Sequence, residues 1–114
     1  MALPDAQRAE VDRFLGDFCR NRVPPEHRNM IRYEYSVRGN SVTLTEHRPA
    51  FRREGQWTEL AVAQFRFSAA ASSWTLYWMR ANERWYLCDW FRPAKRFGTA
   101  LREVVADRYG AFFG

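Results

Sequence analysis

The sequence predicts an α+β fold: a single antiparallel sheet of about five strands, a meander of hairpins, with one N-terminal and one C-terminal helix. Apolar residues recur at helical spacing near both ends of the chain, and between them apolar and polar residues alternate with a period of two. Four of the five tryptophans fall between Trp74 and Trp90. We therefore expect a tryptophan-rich hairpin at the centre of the core.

The length of 114 residues fits one domain, residues 1–114, which would bury roughly two-thirds of the surface of its unfolded chain. The aromatic content of 17% is high, and 46% hydrophobic residues with 27% charged residues describe a folded globular protein. No apolar run approaches the roughly 18 residues that a membrane span requires, and the N-terminal segment has no apolar signal core. We therefore expect a cytoplasmic protein that has no membrane partner.

The positive charge is concentrated outside the N-terminal segment. The chain has a formal net charge of +5, and its 18 basic residues are all arginine except Lys95. Residues 1–28 carry five arginines and five acidic residues, so the whole excess lies from Asn29 onward. Arginine suits bidentate contacts with phosphate and stacking on bases, although a GC-rich genome also enriches it. The distribution is consistent with an anionic partner for the sheet.

The first helix is predicted to begin with Asp5 as its N-cap and to end near Asn21 or Arg22, because Pro24 and Pro25 prevent continuation. Four apolar residues recur at helical spacing and define the face expected to pack on the domain: Val11, Phe14, Leu15 and Phe18.

The second helix is predicted from about Lys95 or Phe97 to Asp107, with one apolar stripe: Phe97, Leu101, Val104 and Val105. The apolar tail at residues 111–113 follows this helix and is expected to pack against the domain, since an exposed Phe-Phe pair would favour association.

Residues 30–48 predict the first hairpin, with Gly39 and Asn40 as a two-residue turn. This turn predicts four cross-strand pairs: Val37 with Val42, Tyr35 with Leu44, Tyr33 with Glu46, and Ile31 with Arg48. Glu46 then lies on the apolar face, where a charge requires a partner. We expect a structural ion pair between Glu46 and either Arg48 or Arg66.

The third strand is predicted at Trp57–Phe67. Alternation places Ala61, Ala63, Phe65 and Phe67 on one face and Leu60, Val62, Gln64 and Arg66 on the other. The preceding loop, residues 49–56, groups Phe51 with Arg48, Arg52 and Arg53. Such a cluster is able to clamp a nucleotide; more often a loop of this kind is simply solvated.

The last hairpin joins strands at Trp74–Arg80 and Arg84–Asp89. With Asn82-Glu83 as the turn, one face carries Trp74, Leu76, Trp78, Arg80, Trp85 and Leu87, and the other carries Tyr77, Met79, Arg84, Tyr86 and Cys88. Arg80 would then form a cation–π pair with Trp85. Aromatic residues on both faces are unusual for an antiparallel sheet that has one face in water.

Short stretches along nearly the whole chain form a recognisable set: Arg22-Val23-Pro24-Pro25, Gly39-Asn40-Ser41-Val42-Thr43-Leu44 leading to Glu46 and Arg48-Pro49, Trp57-Thr58, Ala63-Gln64-Phe65-Arg66-Phe67, Trp74-Thr75-Leu76-Tyr77-Trp78, Asn82 with Arg84-Trp85, and Phe112-Phe113-Gly114. Together they resemble the bacterial family catalogued as domain of unknown function 3024. The chain departs from it at Glu83, where the family usually has glycine after the asparagine. The resemblance implies a small stand-alone bacterial domain and supplies no activity, ligand or catalytic residue.

The sequence does not predict an enzyme, a metal site or a cofactor. It has no phosphate-cradling glycine loop and no nucleophile elbow. The two cysteines and two histidines lack zinc-ligand spacing, and both cysteines are expected to be reduced and buried: Cys19, Cys88, His27 and His47. The one enzymatic alternative uses Glu46 and His47 as an acid–base pair, without a recognisable partner group.

The function hypothesis therefore rests on a sheet face that combines aromatic residues with arginines. If both helices cover the tryptophan face, the reverse face presents Tyr77, Met79 and Tyr86 beside Arg66 and Arg84. Such a face suits a protein partner or a homodimer, and alternatively a single-stranded nucleic acid, with Arg52 and Arg53 as further contacts. If the helices instead lie on opposite faces, no such surface exists.

Overall fold

A computed structural model of the protein describes residues 2–113. Two α-helices, α1 (Asp5–Asn21) and α2 (Phe97–Ala106), stand before and after the strands, and a short 3-10 helix (Pro25–His27) follows α1. The five strands are β1 (Arg32–Arg38), β2 (Ser41–Pro49), β3 (Trp57–Ser68), β4 (Ser73–Met79) and β5 (Trp85–Leu87). They form one antiparallel sheet in the order β1-β2-β3-β4-β5. The predicted α+β fold and its meander of hairpins are confirmed.

Both helices pack on the same face of the sheet. The ring of Phe97 in α2 lies 4.7 Å from Phe65 and 5.0 Å from Trp74, measured between ring centroids. Val11 and Leu15 of α1 are fully buried in the same hydrophobic cluster. We call this side the helix face. Because side chains alternate along each strand, the other side, the open face, carries the second set of residues and is covered by neither α1 nor α2.

The N-terminus of α1 is built differently from the prediction, whereas α2 begins at Phe97, one of the two predicted starts. Pro4 is the N-cap residue of α1 and Asp5 its first helical residue, so the predicted capping role of Asp5 is wrong; Pro4 has the extended backbone, and no side chain caps this end. At α2 the cap comes from the other helix. The carboxylate of Glu10 accepts a hydrogen bond from the Phe97 amide at 2.9 Å and pairs with Arg96 at 2.7 Å.

The C-terminal tail packs against the domain, as expected. Phe112 is buried, and the ring of Phe113 stacks on Phe18 and meets Tyr33 edge-on at 6.0 Å. Asp107, which ends α2 in a left-handed conformation, accepts hydrogen bonds from the amides of both phenylalanines. Gly114, the last residue of the family pattern, lies outside the described residues.

The first hairpin has the predicted register. Tyr33 pairs with Glu46, and the two pairs nearer the turn also agree with the prediction. Gly39 has a φ of 59°, and it is the first of the two turn residues, as a type II′ turn requires. Ile31 lies just before β1, so its predicted pairing with Arg48 does not form part of the ladder.

A β-bulge in β3 changes the predicted faces of that strand. Leu44 pairs with Ala63 but the next residue, Thr45, pairs with Ala61, so Val62 is the extra residue. Val62 turns into the core and is only 2% exposed, whereas strict alternation placed it on the opposite face. Beyond the bulge the parity is reversed: Leu60 lies on the helix face and Ala61 on the open face.

The last hairpin differs from the prediction by one residue of register. Met79 pairs with Trp85 and Trp78 with Tyr86, and the Arg80 amide donates to the Arg84 carbonyl at 3.2 Å, so the loop has three residues, 81–83, and not two. Glu83 adopts a left-handed conformation, and its amide donates to the Arg80 carbonyl at 2.8 Å. A shift of one residue in the register moves every side chain of a strand to the other face of the sheet. The predicted faces of the β5 residues are therefore wrong.

The cation–π contact of Arg80 changes with the register. Its guanidinium lies 4.8 Å from the ring of Tyr86 and 5.5 Å from that of Trp78, and the predicted partner Trp85 is on the other face of the sheet.

Candidate recognition surface on the open face

The structure brings three of the predicted binding residues together on the open face: Tyr77, Met79 and Arg66. The register of β5 removes the other two, because Tyr86 pairs with Trp78 on the helix face and Arg84 is an exposed residue beside the turn.

The loop arginines lie apart from this group. Arg52 and Arg53 are exposed at the far end of the β2–β3 hairpin, where Arg52 stacks on the exposed ring of Phe51 at 5.1 Å. The open face and the basic loop are therefore separate features.

Four apolar side chains form a continuous strip along β4 and β5 on the open face. Tyr77 pairs with Leu87 and Met79 pairs with Trp85, so the side chains occupy two neighbouring cross-strand positions. Leu87 is 53% exposed, and the other three are partly exposed. We call these four residues the apolar strip. Trp85 and Leu87 belong to it only because the β4–β5 loop has three residues.

Arg66 is held in place beside this strip by a chain of hydrogen bonds. Thr43 Oγ1 accepts a hydrogen bond from Gln64 Nε2 at 3.0 Å, and Gln64 Oε1 accepts one from Arg66 Nε at 2.7 Å. The guanidinium carbon lies 3.8 Å from the centroid of the Tyr77 ring. Gln64 thus holds the Nε edge of the guanidinium, and the Tyr77 ring packs against one face of its plane. The two terminal nitrogens are not bonded to Gln64 and remain able to donate.

A second stack of an arginine on an aromatic ring lies at the opposite end of the open face. The guanidinium of Arg32 is 3.9 Å from the Trp57 ring, and Trp57 is 36% exposed. Arg32 belongs to β1 and Trp57 to the start of β3, so the contact spans β2 diagonally.

The centre of the open face is polar and internally hydrogen-bonded. Thr45 Oγ1 donates to the Glu34 carbonyl at 3.2 Å, so the same hydroxyl must accept from His47 Nε2, 2.9 Å away. Glu34 also contacts Nε2 through its carboxylate at 3.3 Å. These contacts place the ring proton of a neutral His47 on Nε2, and Nδ1 is then the ring nitrogen that can accept a hydrogen bond. His47 pairs with Arg32 across the ladder, as predicted.

Glu46 forms a structural ion pair on the helix face. One carboxylate oxygen pairs with Arg48 at 2.6 Å and the other accepts a hydrogen bond from Tyr33 at 3.0 Å. Burial, followed by the hydrogen bond to Glu46, raises the pKa of Tyr33 above its usual range. Of the two predicted arginine partners, Arg48 makes the contact, and Arg66 does not because it lies on the open face. Glu46 and His47, as neighbours on one strand, point to opposite faces, which argues against a joint acid–base role.

The two thiols are separate and protonated at neutral pH. Desolvation by burial is the main cause that raises the pKa of Cys19 to about 11 and that of Cys88 to about 12. Neither cysteine forms a disulfide. Among residues 2–113, no group of three or more His, Cys, Asp or Glu side chains has a geometry that would hold a metal ion.

A groove of about 410 Å³ lies at the end of the sheet where the β1–β2 and β3–β4 turns meet the N-terminal segment. Its wall is largely apolar and consists of Ala2, Pro4, Phe67, Ala69 and Ala70. Its polar lining consists of Asn40, Arg66, Ser68, Thr75 and Tyr77. The Asn40 side chain donates to the Phe67 carbonyl at 2.8 Å, and Thr75 donates to the Arg66 carbonyl at 3.3 Å. The Arg66 guanidinium is the charged group of this groove.

Sequence reasoning missed Trp85, Leu87 and the residues that support Arg66. Trp85 and Leu87 were missed because the sequence has Glu83, and not glycine, at the left-handed third position of the loop. A glycine there would have indicated a three-residue hairpin loop, which is a common type. Gln64 and Thr43 face each other across β2 and β3, and correct register alone would have paired them.

A family model described as Domain of unknown function (DUF3024) matches residues 3–114. No curated protein and no solved structure matches the sequence. Within the described part of the chain, neither helix has the length and apolar composition needed to cross a membrane.

Proposed function

Because the chain belongs to the family described as Domain of unknown function (DUF3024), a description that assigns no activity, we propose its function from the open face. The domain is a non-enzymatic protein-interaction module that pairs with a second copy of itself through this face. The observation that carries the proposal is the apolar strip, which remains outside the core although both helices are packed on the other side of the sheet.

The composition of the strip favours a protein contact. Tyrosine, tryptophan, methionine and arginine are the residue types that interfaces enrich, and Arg66 adds a guanidinium already stacked on Tyr77. Leu87, at 53% exposure, is the most exposed of the four side chains of the strip, and a partner would remove its apolar surface from water.

The open face is also large enough for a weak to moderate homodimer. Five strands about 4.8 Å apart and about seven residues long give a flat projection of roughly 550 Å², the same order as the roughly 800 Å² per partner of a standard interface. A two-fold arrangement would bring the apolar strip of each copy onto the open face of the other.

The charge of the open face is nearly balanced, which favours a protein partner over a nucleic acid. Three arginines lie on it, Arg32, Arg38 and Arg66, against Glu34 and Glu59. A self-complementary interface tolerates this mixture, whereas a nucleic-acid groove usually carries a clear positive excess.

The test is the mass of the protein in solution by sedimentation equilibrium between 5 and 200 µM, on the order of the affinities of weak to moderate homodimers. We expect the wild type to approach twice 13.6 kDa. Leu87→Asp should weaken self-association by at least about ten-fold, because it would bury an unpaired carboxylate. Val105→Asp, at a 42% exposed apolar position on α2, is the matched control and should associate as the wild type does. A wild type that stays monomeric at the highest concentration rejects the homodimer.

A single-stranded nucleic acid is the second candidate, favoured by the two stacks of arginine on an aromatic ring. Each is a site where a base can stack, with an energy of about 1–3 kcal/mol. The test is binding of a fluorescent single-stranded oligonucleotide at two salt concentrations. Tyr77→Ala should weaken binding and Arg84→Gln should not, because Tyr77 lies on the open face and Arg84 lies beside the turn. Binding that is absent at low salt, or equally reduced by both variants, removes this candidate.

We also propose that the domain acts in the bacterial cytoplasm. Its two free thiols, Cys19 and Cys88, support a reducing compartment.

A further inference from the structure

The groove at the end of the sheet contains a guanidinium that is fixed in position but not neutralised by the described residues. Arg66 Nε donates to Gln64, and Tyr77 covers one face of the guanidinium. Among residues 2–113, no carboxylate forms an ion pair with Arg66, and its two terminal nitrogens donate to no described acceptor. The other arginine of the open face that stacks on a ring, Arg32, has no comparable support from a glutamine.

The support of Arg66 determines how it can bind a ligand. Because Gln64 occupies Nε, a bidentate contact with an oxyanion can form only at the end of the guanidinium, where the two terminal nitrogens donate in parallel. This end-on fork matches the two oxygens of a carboxylate. The side chain is already immobilised by Gln64 and Tyr77, so binding would cost little further side-chain entropy.

The groove provides one positive charge and an apolar wall. Its volume of about 410 Å³ falls within the range of roughly 300–1,000 Å³ of small-molecule sites. Asn40 and Thr75 already donate their side-chain hydrogens to backbone carbonyls. A monoanion therefore matches the charge of this site better than a phosphate monoester, which carries close to two charges at neutral pH.

We propose that this groove is a binding site for a small monocarboxylate, with the carboxylate on the terminal nitrogens of Arg66 and an apolar body against Pro4, Ala69 and Ala70. The groove shares Arg66 and Tyr77 with the open face proposed for self-association, but all of its lining residues belong to one chain, so the site requires no second copy. The C-terminal carboxylate of a peptide has the same chemistry, so the experiment includes both sources.

The experiment is an NMR titration of the wild-type protein, following the Arg66 Nε–H signal and the backbone amides of residues 68–70. The probes are phenylacetate, its neutral analogue phenylacetamide, acetate, phenyl phosphate, and acetyl-alanyl-phenylalanine with a free C-terminus. We expect saturable shifts with phenylacetate, about ten-fold weaker binding of acetate because the apolar body is lost, and no saturable binding of phenylacetamide. Tighter binding of the peptide than of phenylacetate assigns the site to chain termini and overturns the small-molecule proposal.

Three variants test the assignment to Arg66 and the groove. Arg66→Gln should weaken phenylacetate binding about 10- to 100-fold, the usual effect of losing charge-assisted hydrogen bonds. Arg38→Gln, an exposed arginine at the same end of the open face, is the matched control and should bind as the wild type does. Ala70→Trp should fill the groove from an exposed turn without altering Arg66, and it keeps the test valid if Arg66→Gln is poorly folded.

Further results overturn the proposal: no saturable shifts with phenylacetate, equal binding of phenylacetamide and phenylacetate, tighter binding of phenyl phosphate than of phenylacetate, an equal loss in Arg38→Gln and Arg66→Gln, or unchanged binding in Ala70→Trp. Titration of Leu87→Asp distinguishes this proposal from the homodimer. If the wild type is dimeric and Leu87→Asp is monomeric and still binds phenylacetate, both proposals hold; if the wild type is monomeric and binds phenylacetate, only the homodimer fails.

Discussion

Glu10 connects the two helices through a single carboxylate. One oxygen accepts the hydrogen bond from the Phe97 amide that opens α2, and the other pairs with Arg96. The side chain of Glu10 is only 11% exposed. The N-cap residue of α2, Arg96, provides no capping hydrogen bond itself, so this end of α2 depends on α1.

Removing this carboxylate should destabilise the protein as a whole. We expect Glu10→Ala to lower the free energy of unfolding by about 2 kcal/mol, because it leaves a part-buried amide without an acceptor. Glu10→Gln retains an acceptor oxygen and should cost less. Urea denaturation measures both, with Glu26→Ala, at an exposed position, as the control. Equal costs for Glu10→Ala and Glu26→Ala would contradict the capping role.

Asp107 performs the corresponding task at the other end of α2. Its two oxygens accept hydrogen bonds from the amides of Phe112 at 3.0 Å and Phe113 at 2.9 Å. We expect Asp107→Ala to cost about 2 kcal/mol, since two charge-assisted hydrogen bonds are lost. Asp107→Asn retains one acceptor and tolerates the left-handed backbone, so its cost should be smaller. Hydrogen exchange of the two phenylalanine amides separates the variants, and unchanged protection in Asp107→Ala would disprove the anchoring role.

The β4–β5 turn combines an unfavourable residue with a demanding backbone position. Glu83 has a φ of 61°, a conformation that costs a residue with a side chain about 1 kcal/mol relative to glycine. The resemblance to the family points to glycine at this position, and the structure supplies the physical reason for it.

Glu83→Gly should therefore stabilise the protein by about 1 kcal/mol, because it relieves the left-handed strain and Glu83 makes no side-chain contact that the turn requires. Glu83→Ala is the control: it removes the same carboxylate but keeps a Cβ, so it should bring no comparable gain. Thermal and urea unfolding measure the difference between the two variants. A Glu83→Gly protein no more stable than Glu83→Ala would mean that the turn is not strained.

Sequence reasoning predicted the elements well and their faces less well. It identified both helices, all five strands and the register of β1 on β2, because Gly39-Asn40 has a recognisable turn chemistry. It failed where one residue decides the parity of a strand: at Val62, the extra residue of the bulge, and at Glu83, where the chain lacks the glycine that would mark the loop. The candidate site inherited these errors, so Tyr77, Met79 and Arg66 were placed together but Tyr86 and Arg84 were misplaced.

The molecule as a whole is a two-layer domain in which one side of a sheet is much more deeply buried than the other. The helix face contains the fully buried Trp74 and Phe65, whereas the open face retains partly exposed aromatic rings. The same asymmetry places the thiol of Cys88, which is 1% exposed, inside the core. Folding thus removes from water a group that would ionise at alkaline pH in the unfolded chain.

This burial predicts that stability falls as the pH rises above 9. The pKa of Cys88 is raised by desolvation from 9.0 to about 12 and that of Cys19 from 9.0 to about 11, while burial also raises the pKa of Tyr33 and Tyr35. Between the unfolded and folded values, the unfolded state binds fewer protons than the folded state, so the free energy of unfolding decreases with pH.

For Cys88 alone, the free energy of unfolding should fall by about 1.4 kcal/mol per pH unit above pH 9, where the unfolded thiol is ionised and the folded thiol is not. Urea denaturation from pH 7 to pH 10.5 measures this slope. Cys88→Ala will be less stable at pH 7 because of the lost packing, but its slope above pH 9 should be shallower than that of the wild type, since it has one thiol fewer to ionise. If the two slopes coincide, the buried thiol does not set the alkaline limit, and the decline must come from the tyrosines or from the net charge of the whole chain.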